Sequence, residues 1–261
     1  MTAQITAETV DYYQEHGYVI IENLIQPDAI EALSDRIREY THGNRPPGKI
    51  VMQTEPRVKR GELQVDHPGD GIRKIEKLVE NDDLFRDLAL SERLLGFVEQ
   101  VLGPDLKLFR NALLLKPPSV GSPKGMHQDS PYWPIEPMNL CQCWFALDDA
   151  TEENGCLAVV PGSHNKGPQP HKHVTDDFVI DEQYYNPAEM VLAPVPAGSG
   201  VFFHSLLMHY SAPNRSDKWR RAIALAYMSS QSRFTGNRDG TLNSDTPEYF
   251  SIKGKSYPGC V

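Results

Sequence analysis

The chain has 261 residues, enough for one large or two small domains, and its 39% hydrophobic and 23% charged residues are an ordinary globular composition. A net charge of −9 argues against a nucleic-acid partner, because a phosphate groove needs clustered Lys and Arg. The opening "MTAQITAETV" lacks a basic region followed by an apolar run, and no eighteen apolar residues occur in a row, so neither a signal peptide nor a membrane span is expected. Four cysteines (Cys141, Cys143, Cys156 and Cys260) read as free thiols in a reducing cytoplasm. Cys141-x-Cys143 has neither the two-residue spacing nor the second Cys pair of a zinc site.

Along the chain, Val10, Tyr13 and His16 share one helical face and Gly17 is a stop. "YVIIENLI" follows as a strand. From Gln26 to Tyr40, Ile30, Leu33 and Ile37 recur at helical spacing, with Asp28 able to cap the start. Residues 41–72 are polar and rich in Gly and Pro, which predicts a long surface loop or lid. One further helix is predicted over 83–102, closed by Gly103. After residue 104, brief β-prone runs alternate with turn residues: "LKLFRNALLLK", "NLCQCWFALDD", "GCLAVVPGSH", "MVLAPVPAGSGVFFHS" and "RRAIALAYMSS". That texture predicts a sandwich or barrel rather than βαβ units. The expected plan is one domain: a helical N-terminal wrap over about 1–103, a β core over about 104–235 and a tail over 236–261.

"GMHQDSPYWP" (125–134) carries the first chemistry. In a strand His127 and Asp129 project from one face while Gln128 turns away. An imidazole and a carboxylate on one wall can hold a divalent metal, although His-x-Asp alone is weak evidence. Of the nine histidines, His16, His42 and His67 lie in polar surroundings, His171 and His173 flank Lys172 in a charged loop, and His164 follows a turn. His204 and His209 remain as third ligands. Two His and one carboxylate would bind one face of iron(II) and leave adjacent positions for a bidentate 2-oxo acid and O2. A dianionic co-substrate such as 2-oxoglutarate then needs a separate cation for its far carboxylate, a task suited to Arg. In "RRAIALAY", Arg220, Ala222, Ala224 and Ala226 share one strand face, and Arg221, Ile223, Leu225 and Tyr227 the other. The small-residue face leaves room for a ligand, which favours Arg220 as the inward cation.

With these residues in view, the chain resembles the phytanoyl-CoA dioxygenase family of iron(II)- and 2-oxoglutarate-dependent oxygenases. The resemblance rests on "HQD" at 127–129, "ALDDATEENGCLAVVPGSH" at 146–164 and "HYSAPNRSDKWRRA" at 209–222, with weaker similarity from "YYQEHGYVIIENLI" to the closing "KSYPGCV". It implies a double-stranded β-helix, or jelly roll, with packed helices. It also implies His127, Asp129 and His209 as iron ligands, with His204 outside the set. Arg220, eleven residues after His209, would grip the far carboxylate, and Ser211 would hydrogen-bond it. Trp144 would line that pocket, Lys74 would lie near the co-substrate, and Gln128, inside the matching motif, is placed with the co-substrate residues. Relatives that halogenate carry a small residue in place of the carboxylate, so Asp129 implies hydroxylation or a related oxidation.

The expected reaction couples oxidation of a small molecule at an unactivated C–H to conversion of 2-oxoglutarate and O2 into succinate and CO2, with ascorbate as a supporting reductant in vitro. Tyr132 and Trp133 either line the substrate side or pack in the core. Two other readings stand beside this one. A non-catalytic β-sandwich binding a small ligand or metal would never decarboxylate 2-oxoglutarate. A zinc hydrolase would need a general base near the metal, and no His-Glu-x-x-His is present.

Overall fold

The structure, a computed structural model, describes residues 5–119, 121–174, 177–236 and 248–261. In chain order the elements are α1 (Ala7–His16), β1 (Tyr18–Ile21), α2 (Pro27–Thr41), β2 (Val51–Thr54), α3 (Pro56–Lys59), β3 (Ile72–Glu76), α4 (Leu78–Asn81), α5 (Asp83–Ala89) and α6 (Glu92–Leu102). There follow β4 (Leu106–Lys116), β5 (Lys124–His127), β6 (Ile135–Glu136), β7 (Cys141–Ala146), β8 (Leu157–Val159), β9 (His171–Val174) and β10 (Asp177–Ile180). The last are β11 (Val191–Ala193), β12 (Gly200–His204), β13 (His209–Ser211), β14 (Arg220–Ser229), β15 (Arg233–Phe234) and β16 (Phe250–Lys253).

An eight-stranded sheet runs β1-β12-β7-β14-β4-β3-β2, with β16 also on β4, and faces a four-stranded sheet ordered β11-β8-β13-β5. Two facing antiparallel sheets with helices on one outer side make the expected jelly roll. Strand alternation decides which side each residue serves. On β14, Ile223, Leu225 and Tyr227 join Cys141, Cys143 and Phe145 of β7 in a core with Leu33, Ile37, Phe85, Leu94 and Phe97 of the helices. The opposite faces supply Trp144, Ala146 and Ala222, which pack against Leu157 and Val159 of the small sheet.

Local structure departs from the sequence reading in four places. Helix α2 starts with Pro27 at its first turn and Gln26 as a cap without side-chain contact, while the Asp28 carboxylate accepts only from the Ala29 amide. The single helix expected over 83–102 is two, because Leu90 and Ser91 interrupt it. There the Ala89 carbonyl accepts from the buried Tyr227 hydroxyl at 2.8 Å, and α6 is free to turn onto β7 and β14. Residues 41–72 are more than a surface loop: they contain β2, which extends the main sheet beyond β3, and α3. The N-terminal third thus contributes three strands to the main sheet as well as its helices. Gly17 does end α1 as expected, in the left-handed region at φ 79°. No helix among the described residues is long and apolar enough to cross a membrane.

Asp82 ties the helices together. Its buried carboxylate accepts from Arg36, from the Tyr40 hydroxyl at 2.8 Å and from the Leu84 amide at 3.0 Å, which caps α5. Burial alone would raise this carboxyl, but the hydrogen bonds from Arg36, Tyr40 and Leu84 outweigh it and leave it below its ordinary value. A depressed folded value means stability that is present above the unfolded carboxylate range, near pH 4, and lost as pH falls through the folded value. Urea midpoints measured from pH 6 downward should therefore fall more steeply in the wild type than in Asp82→Asn. Equal slopes would show that Asp82 carries none of the acid sensitivity.

Candidate functional site

Between the two sheets lies a cavity of about 520 Å³. Its floor is the inner face of the main sheet, where Ala112 and Ala224, beside Leu114, are small enough to leave the space open. His127 and His209 enter from the small sheet, as directly paired residues of β5 and β13. Asp129 arrives differently from the strand-face expectation. Strand β5 ends at His127, and Asp129 has helical backbone angles (φ −82°, ψ −50°) at the start of a turn over 130–132. The amides of Asp129 and Ser130 both donate to the Ser205 carbonyl, so the turn, not strand alternation, brings the carboxylate round to the imidazoles.

The three side chains converge. His127 Nε2 lies 3.7 Å from Asp129 Oδ1 and His209 Nε2 lies 4.0 Å from Asp129 Oδ2, and one donor atom from each residue falls within 4.8 Å of the others. These gaps are too long for hydrogen bonds and short enough for one ion to be reached by all three. Both rings are oriented for it. His127 Nδ1 meets the Gly125 carbonyl at 2.8 Å and His209 Nδ1 meets the Leu207 carbonyl at 3.0 Å, so each Nδ1–H donates backward and each Nε2 lone pair faces inward. Burial, then His209 and Lys124, push His127 well below its ordinary value, which keeps it in the neutral form that binds metal. The Gln142 amide donates to Asp129 Oδ2 at 2.7 Å and steadies the carboxylate. His204 lies apart: its Nδ1 accepts from the Leu206 amide and its ring packs 5.2 Å from that of His164.

Deeper in the cavity is Arg220, only 3% exposed. Its Nη1 makes a long 3.4 Å contact with the Leu114 carbonyl, its Cζ sits 5.4 Å from the Trp144 ring centroid, and its Nε has no hydrogen-bond partner among the described residues. Among the described residues no carboxylate is bonded to it, so burial lowers it to about 10, with Asp148 and Cys156 pulling the other way. An incompletely satisfied, buried guanidinium facing a cavity is a receptor for an anion. Arg221 is the contrast: it turns to the opposite face and holds Asp148 through Nε at 2.8 Å and Nη2 at 2.6 Å. Ser211 and Trp144 line the same cavity, as does Lys74, whose Nζ is paired with Glu76 Oε1 at 2.8 Å.

Gln128 is not brought to the cavity. It is 0% exposed, its amide nitrogen donates to the Gly167 and Leu206 carbonyls, and its amide oxygen accepts from the Gln169 amide. It braces the segment after β8 from behind the ligand pair, consistent with strand alternation turning it away. Tyr132 and Trp133 serve both roles considered for them, lining the cavity while packing with Phe109, Ile135 and Leu140. Sequence reasoning passed over Gln142 and Lys116. Alternation on β7 from Trp144 would have found the first, and alternation on β4 from Ala112 the second.

The family model described as "Phytanoyl-CoA dioxygenase (PhyH)" matches residues 13–222. The chain belongs to the phytanoyl-CoA dioxygenase family. Peroxisomal phytanoyl-CoA dioxygenase of Rattus norvegicus is 31% identical over 97% of this chain and 77% of its own length. The protein of that name from Mus musculus is 32% identical over 87% and 69%. Among solved structures, the non-heme alpha ketoglutarate dependent carbocyclase SnoK from nogalamycin biosynthesis superposes with a TM-score of 0.72, at 23% identity over 97% of this chain and 95% of that one. EctD from S. alaskensis in its apoform gives 0.74 at 21% identity, over 98% and 89%. At these identities the two structures bear on the fold, and this family member shares theirs. As a member of this family the chain is an oxygenase.

Proposed function

We propose that this family member holds one iron(II) on His127, Asp129 and His209, binds 2-oxoglutarate against Arg220 and hydroxylates an unactivated C–H of a small molecule, acting as one domain over 1–261 in the cytoplasm. The observation that carries this reading is the juxtaposition, in one cavity, of three converging donors and a buried guanidinium without a counter-anion. The free cysteines support a reducing compartment.

When bound, iron(II) with 2-oxoglutarate supplies oxidation by O2, with succinate and CO2 released. The protein's own residues set the geometry. Gly125 and Leu207 carbonyls lock the imidazole tautomers, and Gln142 holds one oxygen of Asp129. Arg220 offers a planar fork to the far carboxylate, with Ser211 and Trp144 around it. A fixed co-substrate leaves the Tyr132, Trp133 and Phe178 side of the cavity for the substrate, where apolar walls exclude water and orient a carbon.

The test is succinate release from iron-loaded protein given 2-oxoglutarate, ascorbate and a panel of small molecules. Substrate-stimulated succinate formation, matched one to one by a product heavier by one oxygen, is expected. No decarboxylation with any substrate would favour a binding protein instead. Succinate matched by a desaturated or cyclised product would retain the oxygenase and overturn hydroxylation.

A further inference from the structure

Lys116 is the one buried cation of the cavity that neither the strand-face argument nor the resemblance singled out. It ends β4 in direct register with Arg220 on β14, so two cationic side chains stand side by side on the inner face of the main sheet. It is only 5% exposed. Its Nζ donates to the Ser211 carbonyl at 3.1 Å and, more closely, to the Ala212 carbonyl. The surroundings are shaped to admit it. A Cβ on Gly121 would meet the Lys116 stem at 2.6 Å, and one on Gly155 would meet its Nζ at 3.2 Å as well as the Ala212 carbonyl. Gly155 also has φ +84°, so the Asn-Gly-Cys turn needs glycine for its backbone as well as for space. From the other side, Asn214 Nδ2 donates to the Lys116 carbonyl at 2.9 Å and to the Lys218 carbonyl at 2.7 Å, closing the 211–218 loop around this lysine.

Resting on the co-substrate site proposed above, we propose that Lys116 is its second positioning residue: it fixes the Ser211–Ala212 backbone and takes up a positive charge beside Arg220 when a carboxylate lies against the pair, so that the pocket selects a 2-oxo acid with a second carboxylate. Two adjacent buried cations repel, so the Lys116 amine holds its proton weakly until an anion lies nearby. Burial first, then Arg220 and Arg73, lower Lys116 to about 6, while Glu55, whose carboxylate accepts from Ser122, pulls weakly the other way. Such a pair is unfavourable until an anion lies against it. A distal carboxylate supplies that charge, and a 2-oxo acid without one leaves the repulsion in place.

The experiment uses iron-loaded enzyme, titrated without O2 with 2-oxoglutarate and, separately, with 2-oxopentanoate, which lacks the distal carboxylate. Lys116→Gln keeps N–H donors for the two carbonyls and removes the charge, Lys116→Met removes both, and Lys116→Arg keeps the charge. Both neutral variants should lose about tenfold or more in 2-oxoglutarate affinity and less than about twofold for 2-oxopentanoate, with the Arg variant close to wild type. A parallel loss for both acids would assign Lys116 a merely structural role, and no loss in Lys116→Gln would remove it from the pocket. If Lys116→Met fails to fold, Lys116→Gln decides. Arg220→Ala measured alongside separates the two levels. If it loses 2-oxoglutarate affinity while Lys116→Gln does not, only the role of Lys116 falls. If it loses nothing, the co-substrate site itself is wrong and this inference falls with it.

Discussion

His209→Ala is expected to abolish iron retention after desalting and to lower substrate-dependent succinate release by orders of magnitude, and His127→Ala and Asp129→Ala should do the same. A three-donor site has no spare ligand, so each loss removes a third of the protein's hold on the ion. His204→Ala is the matched control. Its ring already accepts from the Leu206 amide and packs on His164, and burial with His164 nearby holds it down at about 4. That change should cost some stability and leave the iron in place. Full activity in His209→Ala with loss in His204→Ala would mean that the distal ligand has been misassigned. Asp129→Gly carries a sharper version of the test. The backbone angles there suit any residue, so the turn survives while the only anionic donor leaves. Hydroxylation should be lost and a coordination position freed for halide. Unchanged hydroxylation would exclude Asp129 as a ligand.

Much of this site is legible in the sequence because it lies on strands, where a period of two turns position into direction. Arg220 and Arg221 differ by one residue and face opposite ways, and the Ala-rich and bulky faces of β14 announce which is which. Asp129 shows the limit. Strand alternation predicts convergence with His127, but the convergence is made by a turn anchored on Ser205, some seventy-five residues away in sequence. Local pattern carries no sign of that anchor. The break at Leu90–Ser91 was hidden for the same reason: the residue that takes up the Ala89 carbonyl is Tyr227, from the far side of the main sheet's sequence. The motif puts Gln128 with the co-substrate residues, against the direction of its strand position, and its three side-chain hydrogen bonds follow the strand. Lys116 and Gln142 share strand faces with Ala112 and Trp144, but that these faces meet in one cavity shows only in the pairing of β4, β14 and β7.

The second large effect concerns Arg220. Arg220→Ala removes a guanidinium that is buried, lacks a bonded carboxylate and has one nitrogen without a partner, so its loss breaks little inside the apo protein. What it should break is the contact with a ligand carboxylate, at roughly 2 to 5 kcal/mol, the scale of truncating one partner of a buried charge pair. At about 1.4 kcal/mol per tenfold, 2-oxoglutarate binding weakens by about thirty-fold to a few thousand-fold. Iron affinity should barely change, since the guanidinium is no metal donor. Arg221→Ala should behave in the opposite way. Its side chain is committed to a two-point grip on Asp148 outside the cavity, so its loss should lower the melting temperature and leave 2-oxoglutarate affinity near wild type. Anaerobic titration of both iron-loaded variants, followed by the visible absorption of the iron and 2-oxoglutarate chelate, separates the two residues. An equal loss in both, or the larger loss in Arg221→Ala, would overturn the strand-face assignment and the anion role of Arg220 together.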